Sequence, residues 1–228
     1  PEKNNLQILK ENDIVKIDFG IQKNGYIIDS AFTFSFNNNY QELINASIEA
    51  NQVAIKNSGP DSILGEIGKD IQEIIESHEI EINNKLYPLK SIGDLTGHSI
   101  SRYDIHSGKA VPNINIPFYQ LRMKEGEVYA IEPFASTGKG KVISDNDNCS
   151  HYMIKNINLK DPILNNNEKE FITKLYKKYF KLPFCKRWLD EENIEYGLLD
   201  NLSNMGIINS YPPLYDIKNS LVSQHEHT

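Results

Sequence analysis

The sequence has 228 residues, of which 39% are hydrophobic and 10% aromatic, and its 24 Lys and Arg against 31 Asp and Glu give a net charge of −7. These values indicate a mildly acidic globular domain. No apolar stretch approaches the roughly 20 residues of a membrane helix, and the basic residues are dispersed among more numerous acids, which argues against a membrane span and against DNA as a partner. With only two cysteines, no disulfide framework is expected, and the sequence predicts a cytoplasmic location.

The first predicted element is a β-hairpin over residues 13–36. Its arms are rich in β-branched and aromatic residues and flank Asn24-Gly25. The second arm alternates, so Phe32 and its neighbours two residues apart, Phe34 and Phe36, share one face and are expected in the core. Asp29 then lies on the other face.

Helical periodicity predicts helices over residues 40–57 and 62–78, the second with Asp61 as its cap. A hairpin around Asn83-Asn84 and strands over 128–134 and 221–227 follow. Residues 155–210 predict a helical insertion subdomain, with helical segments at 168–180 and 187–204. We otherwise expect one domain over residues 1–228, truncated at both ends, since the chain starts at Pro1 and is still strand-like at Thr228.

Asp18 and Asp29 lie on opposite arms of the predicted hairpin. They face each other directly if the turn is centred on Lys23-Asn24, and they are diagonal on the same face if it is centred on Asn24-Gly25. Two like charges at roughly 5–8 Å are unfavourable unless a cation lies between them. A bound metal ion accounts for the pair, whereas two solvated strand-end carboxylates are the simpler alternative.

Further polar residues favour the metal. His98 and His106 lie eight residues apart in a segment bounded by glycines, Glu132 interrupts an apolar strand, and Glu226 lies in the last predicted strand. A buried carboxylate without a partner is unfavourable. One imidazole with four carboxylates suits divalent ions such as Mn, Fe, Co or Zn and is sufficient for a site with two ions.

Nine motifs in this order resemble those of the type 2 methionine aminopeptidases. They occupy residues 16–20, 28–33, 97–100, 105–109, 127–134, 136–140, 149–153, 211–214 and 224–228. The resemblance implies an α+β pita-bread fold, an antiparallel sheet backed by helices, with the helical insertion that is typical of type 2 enzymes.

The resemblance also implies the roles of individual residues. Two divalent ions (Co, Mn, Fe or Zn) would be held by five metal ligands, with Asp29 and Glu226 bridging them: Asp18, Asp29, His98, Glu132 and Glu226. His106 and Glu132 would be catalytic. The substrate-binding residues would be His106, Ile105, His151, Tyr211 and Leu214.

The implied substrate is the N-terminal initiator methionine of nascent polypeptides, and the resemblance leaves ribosome association open. Two other functions remain alternatives: a non-catalytic pita-bread binding module and an Xaa-Pro-directed dimetal peptidase. The chain departs from the family at Pro183, which occupies a pocket-adjacent position where a smaller residue is usual. A family histidine that would precede Pro1 lies outside the sequence.

Overall fold

The computed structural model describes residues 8–155, 159 and 162–228. They form two compact units, a larger unit of residues 8–143 and 215–228 and a smaller unit of residues 144–214. The helices in these residues are α1 Gln41–Asn57, α2 Leu64–Ser77, α3 Asn166–Tyr179, α4 Lys186–Glu191 and α5 Leu199–Asn204. The strands are β1 Ile14–Lys23, β2 Tyr26–Ser35, β3 Glu79–Ile82, β4 Lys85–Pro88, β5 Lys90–Ser91, β6 Thr96–Ile100, β7 Ala110–Pro112, β8 Val128–Ala130, β9 Phe134–Ser136, β10 Ile143–Ser144, β11 His151–Ile154, β12 Phe184–Cys185, β13 Ile208–Tyr211, β14 Leu214–Tyr215 and β15 Val222–Gln224. None of the described helices has both the length and the apolar composition needed to cross a membrane.

The larger unit begins with the predicted hairpin, formed by β1 and β2 around the turn Asn24-Gly25. Both turn residues have a positive φ, 54° and 84°, as a type I′ turn requires, and Asn and Gly tolerate this conformation best. The ladder that follows pairs Asp18 with Ala31. The hairpin over residues 13–36 is therefore confirmed, with the second of the two predicted turn centres.

The outer face of this hairpin is exposed, so the prediction that Phe32, Phe34 and Phe36 pack in the core is wrong. Phe32 is 40% exposed and Phe36 66%, whereas Ala31 and Thr33 on the opposite face are buried. Strand alternation separates two faces without showing which one is covered. Helix α1 packs against α2 and, among the strands, mainly against β15 and β9, and this leaves the outer face of the hairpin open.

Helices α1 and α2 form the core of the larger unit with the sheet. Their buried side chains recur every three or four residues and are listed by helix: Leu43, Ala46, Ala50 and Ala54 from α1, and Leu64, Ile67, Ile71 and Ile75 from α2. Both predicted helices are confirmed. Asp61, expected to cap α2, instead lies in a turn with a φ of 71°, and Ile63 is the N-cap residue.

Strands β1, β2, β5 to β9 and β15 of the larger unit join into a continuous antiparallel sheet, and β3 and β4 form a separate hairpin. A bridge between Ala31 and Glu226 links β2 to β15 and its continuation, and a bridge between Ile131 and His227 links that continuation to β8 and β9. The order across the sheet is β1, β2, the C-terminal strand (residues 222–228), the central strand (residues 128–136), β6 and β7. The strands predicted at 128–134 and 221–227 therefore lie side by side.

The smaller unit has its own sheet and core. Strand β11 lies between β12 and β13, and all neighbours are antiparallel. Helix α3 starts with a capping box in which Asn165 and Glu168 bond reciprocally, each over 2.9 Å. Its buried side chains, among them Ile172 and Leu175, pack in the core of this unit.

The sequence predicted one helical segment over residues 187–204, and this is wrong in part. The segment forms two short helices, α4 and α5, and between them Asn193 adopts a φ of 54°, which no continuous helix contains. The bounds of 155–210 for a functional insertion stay a prediction.

Candidate metal centre

The sheet of the larger unit carries the five predicted metal ligands on one face. Residues paired across a ladder share a face, and so do residues two apart along a strand. Ala31 is paired with Asp18 and with Glu226, and Asp29 lies two residues before it. These three carboxylates therefore point to the same side.

The other two ligands join this face through the central strand. The register that pairs Ile131 with His227 places Glu132 directly opposite Glu226. Strand β6 pairs His98 with Ala130, two residues before Glu132, so His98 points to the same side. The topology thus brings together residues that are more than 200 positions apart in the chain.

Glu132 and Glu226 form the closest kind of cross-strand pair. Ile131 and His227 exchange both backbone hydrogen bonds, at 2.9 and 3.3 Å, so the next pair along the ladder is a non-hydrogen-bonded one. Side chains of such pairs approach most closely, and two carboxylates there repel each other. A bound cation, or a proton taken up by one of the two carboxyl groups, relieves this repulsion.

The distances around His98 fit a metal ion. Its Nε2 atom lies 3.5 Å from Oε1 of Glu132 and 3.7 Å from Oδ2 of Asp29, too long for hydrogen bonds. Ligand atoms at about 2.0–2.2 Å from one tetrahedral ion would be roughly 3.3–3.6 Å apart. Asp29, His98 and Glu226 also offer ligand atoms that all lie within 4.8 Å of one another. The donor set and its spacing therefore fit a divalent ion.

Burial and mutual repulsion raise the pKa values of these carboxyl groups. For Glu226, 2% exposed, burial and the charges of Asp29 and Asp18 raise the pKa to about 9. Burial and Asp18 raise the pKa of Asp29 to about 6. For Glu132, burial and the charges of Glu226, Asp18 and Asp29 raise the pKa well above its usual value. Without a metal Glu226 therefore keeps a proton at neutral pH, and a metal ion that binds there has to displace it.

Neighbouring side chains hold the two aspartates, and sequence reasoning missed them. Nε2 of Gln224 donates to Oδ2 of Asp18 over 3.0 Å. The hydroxyl of Thr228 accepts from the backbone N–H of Asp29 at 2.7 Å and donates to its carbonyl at 2.8 Å. Both residues alternate with Glu226 along the C-terminal strand, and that spacing is the signal that would have identified them.

The two histidines meet because the chain between them folds back. Ser101 and Asp104 form a bridge around the turn, and the N–H of Ser107 donates to the carbonyl of Ser99 over 2.8 Å. The imidazole rings of His98 and His106 consequently lie 4.5 Å apart in an edge-to-face arrangement.

Burial also sets the charge of both rings. It lowers the pKa of His98 to about 4, with a further contribution from His106. Burial lowers the pKa of His106 as well, and Asp104 partly opposes it. Neutral imidazoles at pH 7 are what a metal ligand and a hydrogen-bond donor to a substrate require. Ile105, next to His106, is buried.

A glycine makes the strand contact at His98 possible. A Cβ atom on Gly97 would lie 2.5 Å from the carbonyl oxygen of Ala130 in the neighbouring strand. Only glycine therefore allows β6 to approach the central strand this closely.

The remaining predicted substrate-binding residues belong to the smaller unit. His151 on β11 is paired directly with Tyr211 on β13, so these two side chains share a face. Leu214 begins β14 and is 43% exposed, and Pro183 directly precedes β12. That these residues form one pocket with Ile105 and His106 stays a prediction.

A family model for metallopeptidase family M24 matches residues 1–159. The chain belongs to this family. Membership of a metallopeptidase family implies the use of a divalent metal ion, and the buried group Asp29, His98 and Glu226 offers ligands for it.

Similar curated proteins narrow the resemblance within family M24. The chain is 46% identical over 230 residues to methionine aminopeptidase 2 of Dictyostelium discoideum and 44% identical over 230 residues to that of Puccinia graminis f. sp. tritici. Both alignments cover 100% of this chain, but only 52% and 50% of the two relatives. The chain thus spans about half the length of the curated relatives it matches. The predicted resemblance to type 2 methionine aminopeptidases is confirmed.

Solved structures support the fold. A methionine aminopeptidase from Thermotoga maritima is 30% identical with a TM-score of 0.53, and the match covers 62% of this chain and 54% of that one. A thermophilic Arx1 has a TM-score of 0.74 at 17% identity, covering 99% of this chain and 66% of the other, which shows similarity of fold alone. The predicted α+β pita-bread fold of this M24 chain is confirmed.

Proposed function

We propose that this M24 chain is the catalytic part of a methionine aminopeptidase that removes the initiator methionine from nascent polypeptides. The observation that carries the proposal is the convergence of four carboxylates and His98 on one face of the sheet, with His106 beside them. The similarity to curated methionine aminopeptidases supports this reaction over others of metallopeptidases.

The five ligands would hold two divalent ions of Co, Mn, Fe or Zn. Asp18 would bind one ion, His98 and Glu132 the other, and Asp29 and Glu226 would bridge them. When bound, such a pair of ions lowers the pKa of water and polarises a carbonyl group. Glu226 suits the bridging role because it lies between Asp29 on one neighbouring strand and Glu132 on the other.

His106 would bind the substrate carbonyl group, and Glu132 would transfer protons. The lowered pKa of His106 keeps its imidazole neutral, so the ring can donate a hydrogen bond to the substrate carbonyl oxygen as negative charge develops there. The raised pKa of Glu132 suits a group that takes up a proton and passes it to the departing amine.

The remaining residues would select the substrate. Ile105, His151, Tyr211 and Leu214 combine apolar surface with polar edges, which suits a thioether side chain better than a charged one. We further propose a cytoplasmic location and nascent chains as the substrate source, with ribosome association as an extension of this role.

Release of methionine from Met-Ala-Ser by the metal-loaded protein tests the proposal. We expect cleavage of this peptide, no cleavage of its N-acetylated form, and at most weak cleavage of Xaa-Pro peptides. Asp29→Ala should abolish turnover. His225→Ala, whose side chain points to the opposite face from Glu226, should retain it. Preferential cleavage of Xaa-Pro peptides would replace the proposal with a prolidase-like activity, and binding of metal without any hydrolysis would contradict it.

A further inference from the structure

A buried asparagine connects the helical layer to both strands that carry the glutamate ligands. Asn51, in the middle of α1, is completely buried. Its Nδ2 atom donates to the carbonyl of Ile131 over 2.6 Å and approaches the carbonyl of His225 at 3.5 Å. These carbonyls belong to the residues immediately before Glu132 and Glu226.

Pro133 explains why an external donor is needed here. In an antiparallel ladder, Pro133 and His225 would exchange two backbone hydrogen bonds. The N–H of His225 donates to the carbonyl of Pro133 over 3.3 Å, but proline has no N–H to return to the carbonyl of His225. The amide of Asn51 faces this carbonyl and so occupies the place of the missing donor.

The contacts fix the orientation of the amide. Both groups that it faces are carbonyl acceptors, so the NH₂ group rather than the oxygen has to point at them. Among the residues that the structure describes, Oδ1 of Asn51 is buried without a hydrogen-bond partner. An apolar residue would avoid this unfavourable burial, which indicates that the donor function of Asn51 offsets it.

A second buried asparagine, on the segment after β7, donates to a carbonyl of the same central strand. Asn113, which follows β7 and is also completely buried, donates through Nδ2 to the carbonyls of Leu95 and Glu132, both at 3.0 Å. Its Oδ1 atom likewise has no partner within the described residues. Buried amides therefore hold the carbonyls on both sides of the Glu132 side chain.

We propose that Asn51 is a positioning residue for the metal centre, which keeps Glu132 and Glu226 in their close pair so that both reach the ions. The inference rests on the proposed ligand set and not on the substrate. Groups that orient metal ligands typically change metal affinity by about 10–100-fold when they are removed. Asn51 acts on two ligands at once.

Cobalt titration of the apoprotein tests this role without turnover. Asn51→Leu removes both N–H donors of the amide and keeps the branched shape of the side chain, with a moderate increase in volume. We expect its apparent Kd for Co²⁺ to rise by about 10–100-fold and its visible absorption spectrum, which reports ligand geometry, to change. Ser47→Ala is the matched control, since Ser47 is equally buried on α1 but its hydroxyl donates to the carbonyl of Ile44 within the same helix. Its affinity and spectrum should match those of the unaltered chain.

The outcomes separate this inference from the proposed function. If Asn51→Leu binds Co²⁺ with unchanged affinity and spectrum, the positioning role is refuted, whatever the peptidase activity. Should that variant fail to fold, Asn51→Ser, which keeps one short donor, is measured instead and has to show weaker binding than Ser47→Ala. Absence of Co²⁺ binding by the unaltered chain would overturn the ligand set and this proposal with it. Binding without methionine release would contradict only the proposed function.

Discussion

Replacing Glu226 by glutamine should stabilise the metal-free protein and destabilise the metal-bound one. Glu226 is almost completely buried, and this burial, together with the charges of Asp29 and Asp18, raises its pKa from 4.5 to about 9. Glutamine has a similar shape and no charge. The substitution therefore removes the cost of burying this carboxyl group beside other carboxylates, together with one of the proposed metal ligands.

The size of the effect follows from the pKa. The unfolded chain releases the Glu226 proton near pH 4.5 and the folded apoprotein keeps it up to about pH 9. Between these values, each pH unit costs the folded state about 1.4 kcal/mol. At pH 7 the free energy of unfolding of the Glu226→Gln apoprotein should thus exceed that of the unaltered chain by at most about 3 kcal/mol. At pH 5 the difference should be below about 1 kcal/mol. The difference grows as the pH rises towards 9, because the folded pKa lies above the unfolded one.

Urea unfolding at pH 5, 7 and 8, with a chelator or with excess metal, measures both effects. At a metal concentration of 100 times Kd, the free energy of unfolding of the unaltered chain should rise by about 2.7 kcal/mol, and that of Glu226→Gln by much less. Glu127→Gln is the control of opposite sign. Hydrogen bonds from Lys109 and Tyr129 lower the pKa of Glu127 to about 2. Loss of this carboxylate should therefore lower the free energy of unfolding both with a chelator and with excess metal. If the Glu226→Gln apoprotein is less stable than the unaltered chain at pH 8, the view of Glu226 as an electrostatic cost is wrong.

Two further predictions concern the hairpin turn and the histidines. A Cβ atom on Gly25 would overlap the ring of Tyr103, whereas Gly126 has a similar φ of 81° and open space around it. Gly25→Ala should therefore lower the free energy of unfolding by about 1–3 kcal/mol more than Gly126→Ala does, and equal losses in denaturant unfolding would refute this packing. His98→Ala should lose metal in a titration, while His106→Ala should keep its metal and show a kcat reduced by about 10²–10³. Equal metal loss in both variants would contradict these roles.

The hairpin shows how far local patterns reach. Asn24-Gly25 between alternating arms is a strong hairpin signal, and it placed Asp18 and Asp29 on one face before the exact register was known. The same alternation did not show that the face with Asp29 is the buried one and the face with Phe32 the open one. Which face is buried depends on where α1 packs, and this is decided by the tertiary structure and not by the local pattern.

The candidate metal ligands are recognisable in the sequence because their chemistry is conspicuous, whereas the residues that contact them or their strands are not. Glu132 in an apolar strand signals a buried charge that needs a partner. Asn51 in a helix reads from the sequence as an ordinary exposed polar residue, although it is completely buried. Pro133 is the sequence signal for such a residue, since a proline within a central strand leaves one carbonyl of the neighbouring strand without its backbone donor.

The most direct test of the dinuclear centre is an anomalous-difference map from crystals of the cobalt-loaded protein. We predict two peaks about 3.5–4 Å apart on the sheet face that carries Asp18, Asp29, His98, Glu132 and Glu226. Glu226 and Asp29 should lie between the peaks, and His98 and Glu132 should contact the same one. A single peak, or two peaks away from these five residues, would contradict the account.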